Sequence, residues 1–416
     1  MVGTLLDTLS GTADKAQDNV EADIAPDIAP DAAPHIAPTH HPAPRKAPEA
    51  LDRILPERPT RLWVPRQVLI TRAARDSRVA ARARQAAGEL GAEVVELSGN
   101  AIRGLRGATE RETYRNAKTT LAIVNAPASK LRFQPIPPSA DFRLDLATGC
   151  PAHCQYCYLA GSLSGPPVTR AYANLDEIFA AIPSHVGQGT ITSLSDARAD
   201  EGTTFEASCY TDPLAIEHLT GALGELVEHM GTLHRDGMDV GLRFTTKFDL
   251  VEPLLSLQHG GRTRVRLSVN CEDVVRRFEG GTSRLSNRLH ALGRLARAGY
   301  RVGLTVAPII PVEDWQAAYG DLLARTAAEL PPHLAQSCDL TLELITHRFT
   351  PGSKEILLGW YPATALEMDP DVRVQKRGKF GNVKYVYPKA LMQEMRAWFE
   401  AEAARVLPGA RVLYWT

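Results

Sequence analysis

The stretch FRLDLATGCPAHCQYCYL, residues 142–159, joins a short apolar run to a loop that contains three cysteines. Cys150, Cys154 and Cys157 are separated by gaps of three and two residues. The other three cysteines are scattered through a chain of 416 residues, which is not the pattern of a disulfide framework. In a reducing compartment, clustered cysteines favour metal binding. The motif therefore predicts a metal-binding loop placed directly after a strand.

The number of grouped cysteines bears on which metal the loop would hold. A [4Fe-4S] cluster usually takes four thiolates, so three would leave one iron with an open position. A zinc site normally shows four Cys or His ligands in paired spacing. His153 and a further cysteine could complete a zinc site, so zinc stays open, as does a metal-free structural role. We interpret the loop as the site of a [4Fe-4S] cluster.

Six apolar, β-branched-rich runs in the centre of the chain predict strands. They are FRLDLAT (142–148), TTFEASC (203–209), GLRFTTKF (241–248), RVRLSVN (264–270), RVGLTVAPII (301–310) and LTLELITHRF (340–349). Stretches with helical spacing of apolar residues lie between them, as in IEHLTGALGELVEHM, 216–230. Alternating strands and helices predict a parallel sheet with right-handed crossovers. Six units, without the full eight of a closed barrel, predict an α/β fold with a partial (β/α)6 barrel.

Chemistry in such sheets sits at the carboxyl ends of the strands. Cys150, Cys209, Lys247 and Asn270 each end or follow one of the six runs. We therefore expect these four residues near one mouth of the barrel.

The remaining parts of the chain differ in composition from the barrel region. Residues 1–57 contain DIAPDIAPDAAPHIAP, in which frequent proline denies helices and sheets their N–H donors, so we predict a disordered Ala/Pro-rich tail. His40 and His41 are interpreted as tail residues. Residues 58–140 predict a small N-terminal α/β unit, 141–350 the barrel, and 351–416 a C-terminal element with a basic, aromatic hairpin.

Bulk charge and hydropathy limit the possible partners. The formal net charge is −1, so any nucleic-acid surface must be a local patch. No run of about 18 apolar residues suggests a membrane span, and the first residues lack the basic flank and apolar core of a secretory signal. We expect a cytoplasmic monomer without membrane contact.

The cysteine spacing, with an aromatic residue before the third cysteine, resembles that of the radical S-adenosylmethionine (SAM) superfamily. The resemblance implies that SAM binds the open iron through its amino and carboxylate groups. It further implies that one electron from the reduced cluster cleaves SAM into methionine and a 5′-deoxyadenosyl radical. The electron would come from a reductant such as flavodoxin or ferredoxin.

Further motifs from about Arg61 to the C-terminus are similar to those of the spore photoproduct lyase family. They are CPAHCQYCYL, FEASCYTDPLAIEHLT, TTKF, ELITHRFTPGSKE and GKFGNVKYVYP. This resemblance implies a carbon–carbon lyase of DNA repair. Its substrate would be the spore photoproduct, 5-thyminyl-5,6-dihydrothymine, which it would return directly to two thymines.

The resemblance also implies roles for three residues in quenching radicals. Cys209 matches the cysteine that gives a hydrogen atom to the thymine radical left after bond cleavage. Tyr156 and Tyr158 match tyrosines that relay a hydrogen back to the resulting thiyl radical. From the residues alone, Cys209 could equally be a small buried hydrophobe, and the tyrosines could simply pack around the loop.

Polar residues at strand ends are candidates for binding SAM. Lys247 supplies a cation for the carboxylate, while Ser268, Asn270 and Thr211 offer hydrogen bonds to ribose or methionine groups. Ordinary strand-end hydrogen bonding is the alternative for each. Tyr210 departs from the Cys-Thr-Ser-Asp expected of the family, so the local shape beside Cys209 is open to question.

The stretch VRVQKRGKFGNVKYVYPK, 372–389, predicts a hairpin suited to DNA. Its cations would meet phosphates, and its aromatic side chains would stack on or wedge beneath displaced bases. The candidate cations are Arg373, Lys376, Arg377, Lys379, Lys384 and Lys389, and the aromatic candidates are Phe380, Tyr385 and Tyr387. A solvated basic hairpin without a ligand is the alternative.

Two other functions remain open at this point. One is a different radical SAM enzyme that acts on another nucleic-acid lesion or on a small molecule. The other is a non-catalytic iron–sulfur or zinc module that recognises DNA. Cys271 and Cys338 lie in or beside apolar runs, and we interpret both as structural.

Overall fold

The computed structural model of the chain describes residues 62–163, 165–335, 339–377 and 381–416. The predicted tail, residues 1–57, lies outside this part of the chain, and so do Cys338, Lys379 and Phe380.

The strands are short in the first part of the chain and longer in the second. They are β1 (Gln67–Ile70), β2 (Glu93–Glu96), β3 (Thr120–Val124), β4 (Phe142–Arg143), β5 (Ala147–Thr148), β6 (His153–Cys154), β7 (Thr169–Tyr172), β8 (Thr203–Glu206), β9 (Val240–Thr246), β10 (Thr263–Val269), β11 (Glu279–Gly280), β12 (Arg301–Ile309), β13 (Thr341–Thr346), β14 (Val374–Arg377), β15 (Val383–Val386) and β16 (Arg411–Trp415).

Helices lie between most of the longer strands. They are α1 (Arg78–Leu90), α2 (Glu110–Lys118), α3 (Leu175–Ala181), α4 (Glu217–Thr220), α5 (Ala222–Arg235), α6 (Glu272–Phe278), α7 (Leu285–Arg297), α8 (Trp315–Glu329), α9 (Pro332–Ala335), α10 (Pro351–Trp360) and α11 (Lys389–Val406). Within the described residues, no helix has the length and apolar character needed to cross a membrane.

The larger sheet has seven parallel strands in the order β16-β13-β12-β10-β9-β8-β4. Its curled half-barrel form confirms the predicted α/β partial barrel. Each of the six apolar runs overlaps one of these strands, and β16 adds the seventh. Because all strands run the same way, the loops at their carboxyl ends converge on one mouth.

One face of this sheet carries buried charged side chains. Successive side chains of a strand alternate between faces, so Arg264 and Arg266 share one face of β10 while Val265 and Leu267 lie on the other. Arg266 donates to Glu343 of β13 at 2.6 Å, and both side chains are buried. A buried charge requires such a partner, so the paired ions are compatible with a packed interior.

A smaller sheet precedes the barrel, with strand order β2-β1-β3-β7-β5. The first four strands are parallel, and β5 runs antiparallel to β7. Ser77 caps α1 by accepting from the Ala80 N–H at 3.1 Å, and the helix ends at Gly91, whose φ of 72° suits glycine. Strands β5 and β7 belong to this smaller sheet, although they fall within residues 141–350, the range predicted for the barrel. The predicted division of the chain into domains stays a prediction.

The C-terminal residues attach a hairpin to the rim of the barrel. Strands β14 and β15 pair antiparallel, and the backbones of Tyr385 and Phe349 exchange hydrogen bonds at 2.8 and 3.2 Å. Helix α11 packs on α8 through an edge-to-face contact between Trp398 and Trp315, and β16 then joins the large sheet. The hairpin is therefore held at the mouth of the barrel by Phe349, which lies three residues after the end of β13.

Candidate active site

A cavity of about 850 Å³ opens at the carboxyl ends of the barrel strands. Side chains predicted to hold the cluster, to quench radicals and to bind SAM meet on its wall. They are Cys150, Cys154, Tyr156, Cys157, Tyr158, Cys209, Thr211, Lys247 and Ser268. Residues separated by more than 100 positions in the sequence thus share one site, because parallel strands end at one edge.

A glycine sets the start of the cysteine loop. Gly149 has a φ of 82°, and a Cβ at this position would overlap the carbonyl oxygen of Val168. Its N–H donates to the carbonyl of Tyr210 at 2.8 Å. The loop that begins at Cys150 is therefore tied to the segment that carries Cys209.

Backbone contacts fix the rest of the cysteine loop. Strand β6 pairs antiparallel with β11, which places Cys154 opposite Glu279. The ammonium of Lys118, only 4% exposed, donates to the carbonyls of Cys150 and Ala152 at 2.6 and 2.5 Å. The loop is thus braced from the barrel side by β11 and from the N-terminal sheet side by α2.

The three loop thiols face the cavity and act on one another electrostatically. Burial raises the pKa of Cys150 to about 12, although the positive charge of Lys118 opposes that rise. Burial likewise raises the pKa of Cys154, with Cys157 and Cys150 adding to the effect. Across the described residues, no three His, Cys, Asp or Glu side chains are grouped around a single metal ion.

Cys209 lies on the loop after β8 and is 9% exposed. The hydroxyl of Tyr158 donates a hydrogen bond to its backbone carbonyl, while the Tyr158 residue remains 60% exposed at the cavity. Nearby, the buried hydroxyl of Thr211 lines the cavity and makes no hydrogen bond with any described residue. An orphaned buried hydroxyl facing a cavity calls for a ligand or an ordered water.

A charged network lies under Tyr156. Its hydroxyl donates to Glu279, and the Lys247 ammonium lies 3.0 Å from Glu279 Oε1 and 3.1 Å from the Tyr156 oxygen. Arg288 pairs with the other oxygen of Glu279 at 2.5 Å. Burial alone would raise the pKa of Glu279, but the charges of Arg288 and Lys247 lower it to about 2. The carboxylate stays ionised and fixes the Tyr156 phenol.

The predicted SAM-binding residues do not all face the cavity. Lys247, Ser268 and Thr211 do. Asn270 is fully buried outside the cavity lining: its amide nitrogen donates to the Pro308 carbonyl at 2.6 Å, and its oxygen accepts from the Tyr319 hydroxyl at 2.7 Å. Because both polar atoms are engaged in the fold, we do not carry Asn270 forward as a ligand-binding residue.

Tyr210, the departure beside Cys209, points away from the cavity. It is 3% exposed, and its hydroxyl accepts from an Arg143 nitrogen at 3.2 Å. The ammonium of Lys130 and the guanidinium of Arg143 lie 4.9 and 4.8 Å from its ring centroid. The tyrosine is therefore accommodated by cation–π contacts behind the Cys209 loop, and it is not part of the cavity wall.

The hairpin side chains fall into two groups. Lys376 and Arg377 are exposed on β14, and Lys384 lines the cavity. Tyr385 stacks on Phe349 with ring centroids 5.2 Å apart. Lys389 is exposed at the start of α11.

Arg373 and Tyr387 belong to the second, buried group. The Arg373 guanidinium has no exposed side-chain surface, pairs with Glu367 at 2.6 Å and lies 3.6 Å from the Tyr387 ring centroid. It also donates to the His347 carbonyl at 3.0 Å. Arg373 is thus held inside the fold, where it cannot reach a phosphate.

The sequence prediction missed Asp212, which also lines the cavity. It accepts from the Thr246 hydroxyl and the Lys247 N–H, both at 2.7 Å, so it links the Cys209 loop to the end of β9. Burial raises the pKa of Asp212 to about 6, although these hydrogen bonds oppose the rise. Its place in CYTDP, directly after a strand and before a proline, was the available signal.

Comparison with known proteins gives one consistent answer. The spore photoproduct lyase family model matches residues 63–416. Spore photoproduct lyase of Geobacillus sp. (strain Y412MC61) is 40% identical over 330 residues, which cover 79% of this chain and 92% of that protein. The Bacillus subtilis (strain 168) spore photoproduct lyase is 39% identical over 329 residues, covering 79% and 91%.

Solved structures agree with the sequence relatives. A mutant spore photoproduct lyase with bound AdoMet and dinucleoside spore photoproduct is 37% identical and has a TM-score of 0.77, covering 86% of this chain and 100% of that one. A spore photoproduct lyase complexed with dinucleoside spore photoproduct has a TM-score of 0.76 at 37% identity and the same coverage. The chain belongs to the spore photoproduct lyase family.

Proposed function

We propose that this protein is a radical SAM lyase that repairs the spore photoproduct, 5-thyminyl-5,6-dihydrothymine, by returning it to two thymines. The observation that carries the proposal is the shared cavity of Cys150, Cys154, Cys157 and Cys209. The AdoMet and dinucleoside photoproduct bound in the related structures support the same ligands here.

The cysteine loop suits a [4Fe-4S] cluster. In such a cluster each thiolate binds a different iron, so the three sulfurs need not surround one point. The three loop cysteines all line the cavity, so the iron without a thiolate would be open to that cavity. Burial raises the pKa of Cys150 and the Lys118 charge only opposes that rise, so bonding to iron would have to stabilise the thiolate.

The cavity wall beside the loop suits SAM. Thr211 offers a buried hydroxyl without a partner among the described residues, and Lys247 and Ser268 add a cation and a second hydroxyl. When bound, the cluster and SAM together would supply a 5′-deoxyadenosyl radical, which would remove a hydrogen atom from the ring carbon next to the one that carries the methylene link, so that the linking bond can break by β-scission.

Cys209 would complete the repair. After the linking carbon–carbon bond breaks, the Cys209 S–H gives its hydrogen atom to the remaining thymine radical and becomes a thiyl radical. Tyr158 holds the Cys209 carbonyl, so its phenol lies beside the residue that must regain a hydrogen. Tyr156, fixed by Glu279 and Lys247, would be the second member of the relay.

The hairpin would contact the DNA around the lesion. Lys376 and Arg377 are exposed for phosphates, and Lys384 and Tyr385 lie where β15 meets the rim of the barrel. A base must leave the helix to enter the cavity, at a cost of roughly a few kcal/mol that is smaller for a damaged base. The remaining parts of the proposal are a reductant such as flavodoxin or ferredoxin, a monomeric state and a cytoplasmic location.

Anaerobic reconstitution with iron and sulfide tests the function. The protein is incubated with SAM, dithionite and the dinucleoside photoproduct, and both thymine-containing product and 5′-deoxyadenosine are measured. We expect both. SAM cleavage without repaired product would assign the protein to a different radical SAM reaction, and the lack of 5′-deoxyadenosine would leave a non-catalytic module.

A further inference from the structure

A second cavity, of about 390 Å³, lies at the carboxyl edge of the N-terminal sheet. In open parallel sheets this edge is where ligands bind, and the volume falls in the range of small-molecule pockets. Its polar lining comes from the loops after β2 and β3 and from β7, and includes Asn100, Asn125, Ser129, Lys130, Arg170 and Tyr172. None of these residues lines the active-site cavity.

Arg170 is a half-buried cation that lacks an anion. Its guanidinium makes no hydrogen bond or ion pair with any described residue, and burial lowers its pKa. Asp145, the carboxylate that acts on the nearby Tyr172, is already bound by Lys130 at 2.9 Å and by Arg143 at 3.4 Å. A guanidinium at the wall of a cavity, without an anion among the described residues, is available to an anionic ligand from outside the chain.

The two cavities flank one segment of the chain. Residues 158–162 line the active-site cavity, and Leu163 lines the second. Thr148, which also lines the second cavity, precedes Cys150 by two residues. The strand that flanks a lesion bound in the first cavity would then pass near the second.

We propose that the second cavity binds the phosphate of a nucleotide flanking the lesion, with Arg170 as its ligand. A guanidinium is well suited to this role because it offers paired N–H donors to two phosphate oxygens. Asn125 and Ser129, both exposed at the cavity, add further donors. This inference rests on the proposed function, since it assigns a place to the strand that carries the lesion.

Binding of a ligand series tests it. The probes are the dinucleoside photoproduct and the same lesion extended by one nucleotide on its 5′ or 3′ side, each titrated against the full protein. In the wild type, one extension should tighten binding roughly tenfold, the effect of one charge-assisted contact. Arg170→Gln should abolish that gain, and Arg170→Lys should retain part of it.

Arg66→Gln is the matched control, because it removes an exposed arginine just before β1, at the opposite edge of the same sheet; it should keep the full gain. A gain that persists in Arg170→Gln, or no gain in the wild type, overturns the inference. The inference is also overturned if thymidine monophosphate binds in an Arg170-dependent way while the extended lesions bind no more tightly than the dinucleoside. That result would make the second cavity a site for free nucleotides. Failure of the wild type to bind the dinucleoside overturns the proposed function itself, and this inference with it.

Discussion

The phenol of Tyr158 donates a hydrogen bond to the backbone carbonyl of Cys209, across 51 residues of sequence. The contact joins the cysteine loop to the loop after β8 at the point where both reach the cavity. It gives the proposed relay a physical basis, since the hydroxyl is held at the residue whose thiol would need to regain a hydrogen atom.

Tyr158→Phe should separate the first turnover from later ones. The Cys209 thiol is already in place for one repair event, so we expect a burst of about one product per enzyme followed by a slow phase. Product formation is followed by rapid quench under anaerobic conditions. Tyr300→Phe is the control, because it removes a buried hydroxyl that donates to the Leu254 carbonyl at 2.6 Å outside the cavity. If the slow phase has the same rate in Tyr158→Phe and Tyr300→Phe, Tyr158 does not act in the relay.

Cys209→Ala should uncouple radical formation from repair. We expect 5′-deoxyadenosine to form as in the wild type, while thymine falls and products quenched by other donors appear in chromatography and mass spectrometry. Cys271→Ala is a matched control: Cys271 is a buried cysteine, 1% exposed, outside the cavity lining. Unchanged products from Cys209→Ala would exclude it as the hydrogen donor.

The sequence predicted the elements of the site better than their packing. Strand-end logic placed Cys150, Cys209 and Lys247 at one mouth, and all three line the cavity. The same logic also placed Asn270 there, but its side-chain amide is hydrogen-bonded to Pro308 and Tyr319. The position of a residue at the end of a strand does not reveal such hydrogen bonds. These bonds depend on contacts between distant elements.

The hairpin shows the same limit. A basic, aromatic stretch predicts a DNA surface, and Lys376 and Arg377 are indeed exposed. Arg373 belongs to the same charge pattern, yet it is buried against Glu367 and Tyr387. Local composition cannot distinguish a cation that pairs inside the fold from one that faces solvent.

Tyr210→Thr, toward the residue expected of the family, should destabilise the protein. The ring fills space between Lys130 and Arg143, and a buried aromatic replaced by a small residue costs about 3 kcal/mol or more of unfolding free energy. Tyr210→Phe keeps the ring and its cation–π contacts but loses the hydroxyl's hydrogen bond with Arg143, so it should cost about 1 kcal/mol. Urea denaturation measures both. Equal losses would show that ring packing contributes little.

Stability should depend on pH through His347. Burial, together with the charges of Arg373 and Arg348, lowers the pKa of this imidazole to about 3. As the pH falls below about 6.5, His347 of the unfolded chain binds a proton while His347 of the folded chain stays neutral. The contribution of neutral His347 to the free energy of unfolding is therefore fully present above that pH and declines toward pH 3.

His347→Asn keeps an acceptor for Arg373 but does not titrate. Its unfolding free energy should therefore fall less steeply below pH 6.5, by up to about 1.4 kcal/mol per pH unit. Urea denaturation at several pH values gives the slopes, and parallel slopes for His347→Asn and wild type would contradict the assignment.

The two groups of hairpin cations should respond in opposite ways to substitution. Replacing both Lys376 and Arg377 by Gln removes exposed charges, so we expect unchanged stability but weaker binding of lesion-containing duplex. Each lost phosphate contact lowers the slope of log affinity against log salt by about one, so the double variant should lose about two.

Arg373→Gln should do the reverse, because the change leaves Glu367 and the His347 carbonyl without their buried partner. We expect a loss of about 2 kcal/mol in unfolding free energy, because water can solvate the exposed Glu367 but not the buried carbonyl, and a salt slope equal to that of the wild type. Fluorescence anisotropy over a salt series and urea denaturation distinguish the two variants. A reduced salt slope in Arg373→Gln would mean that this guanidinium leaves its pocket to meet DNA, and the hairpin would then have to rearrange on binding.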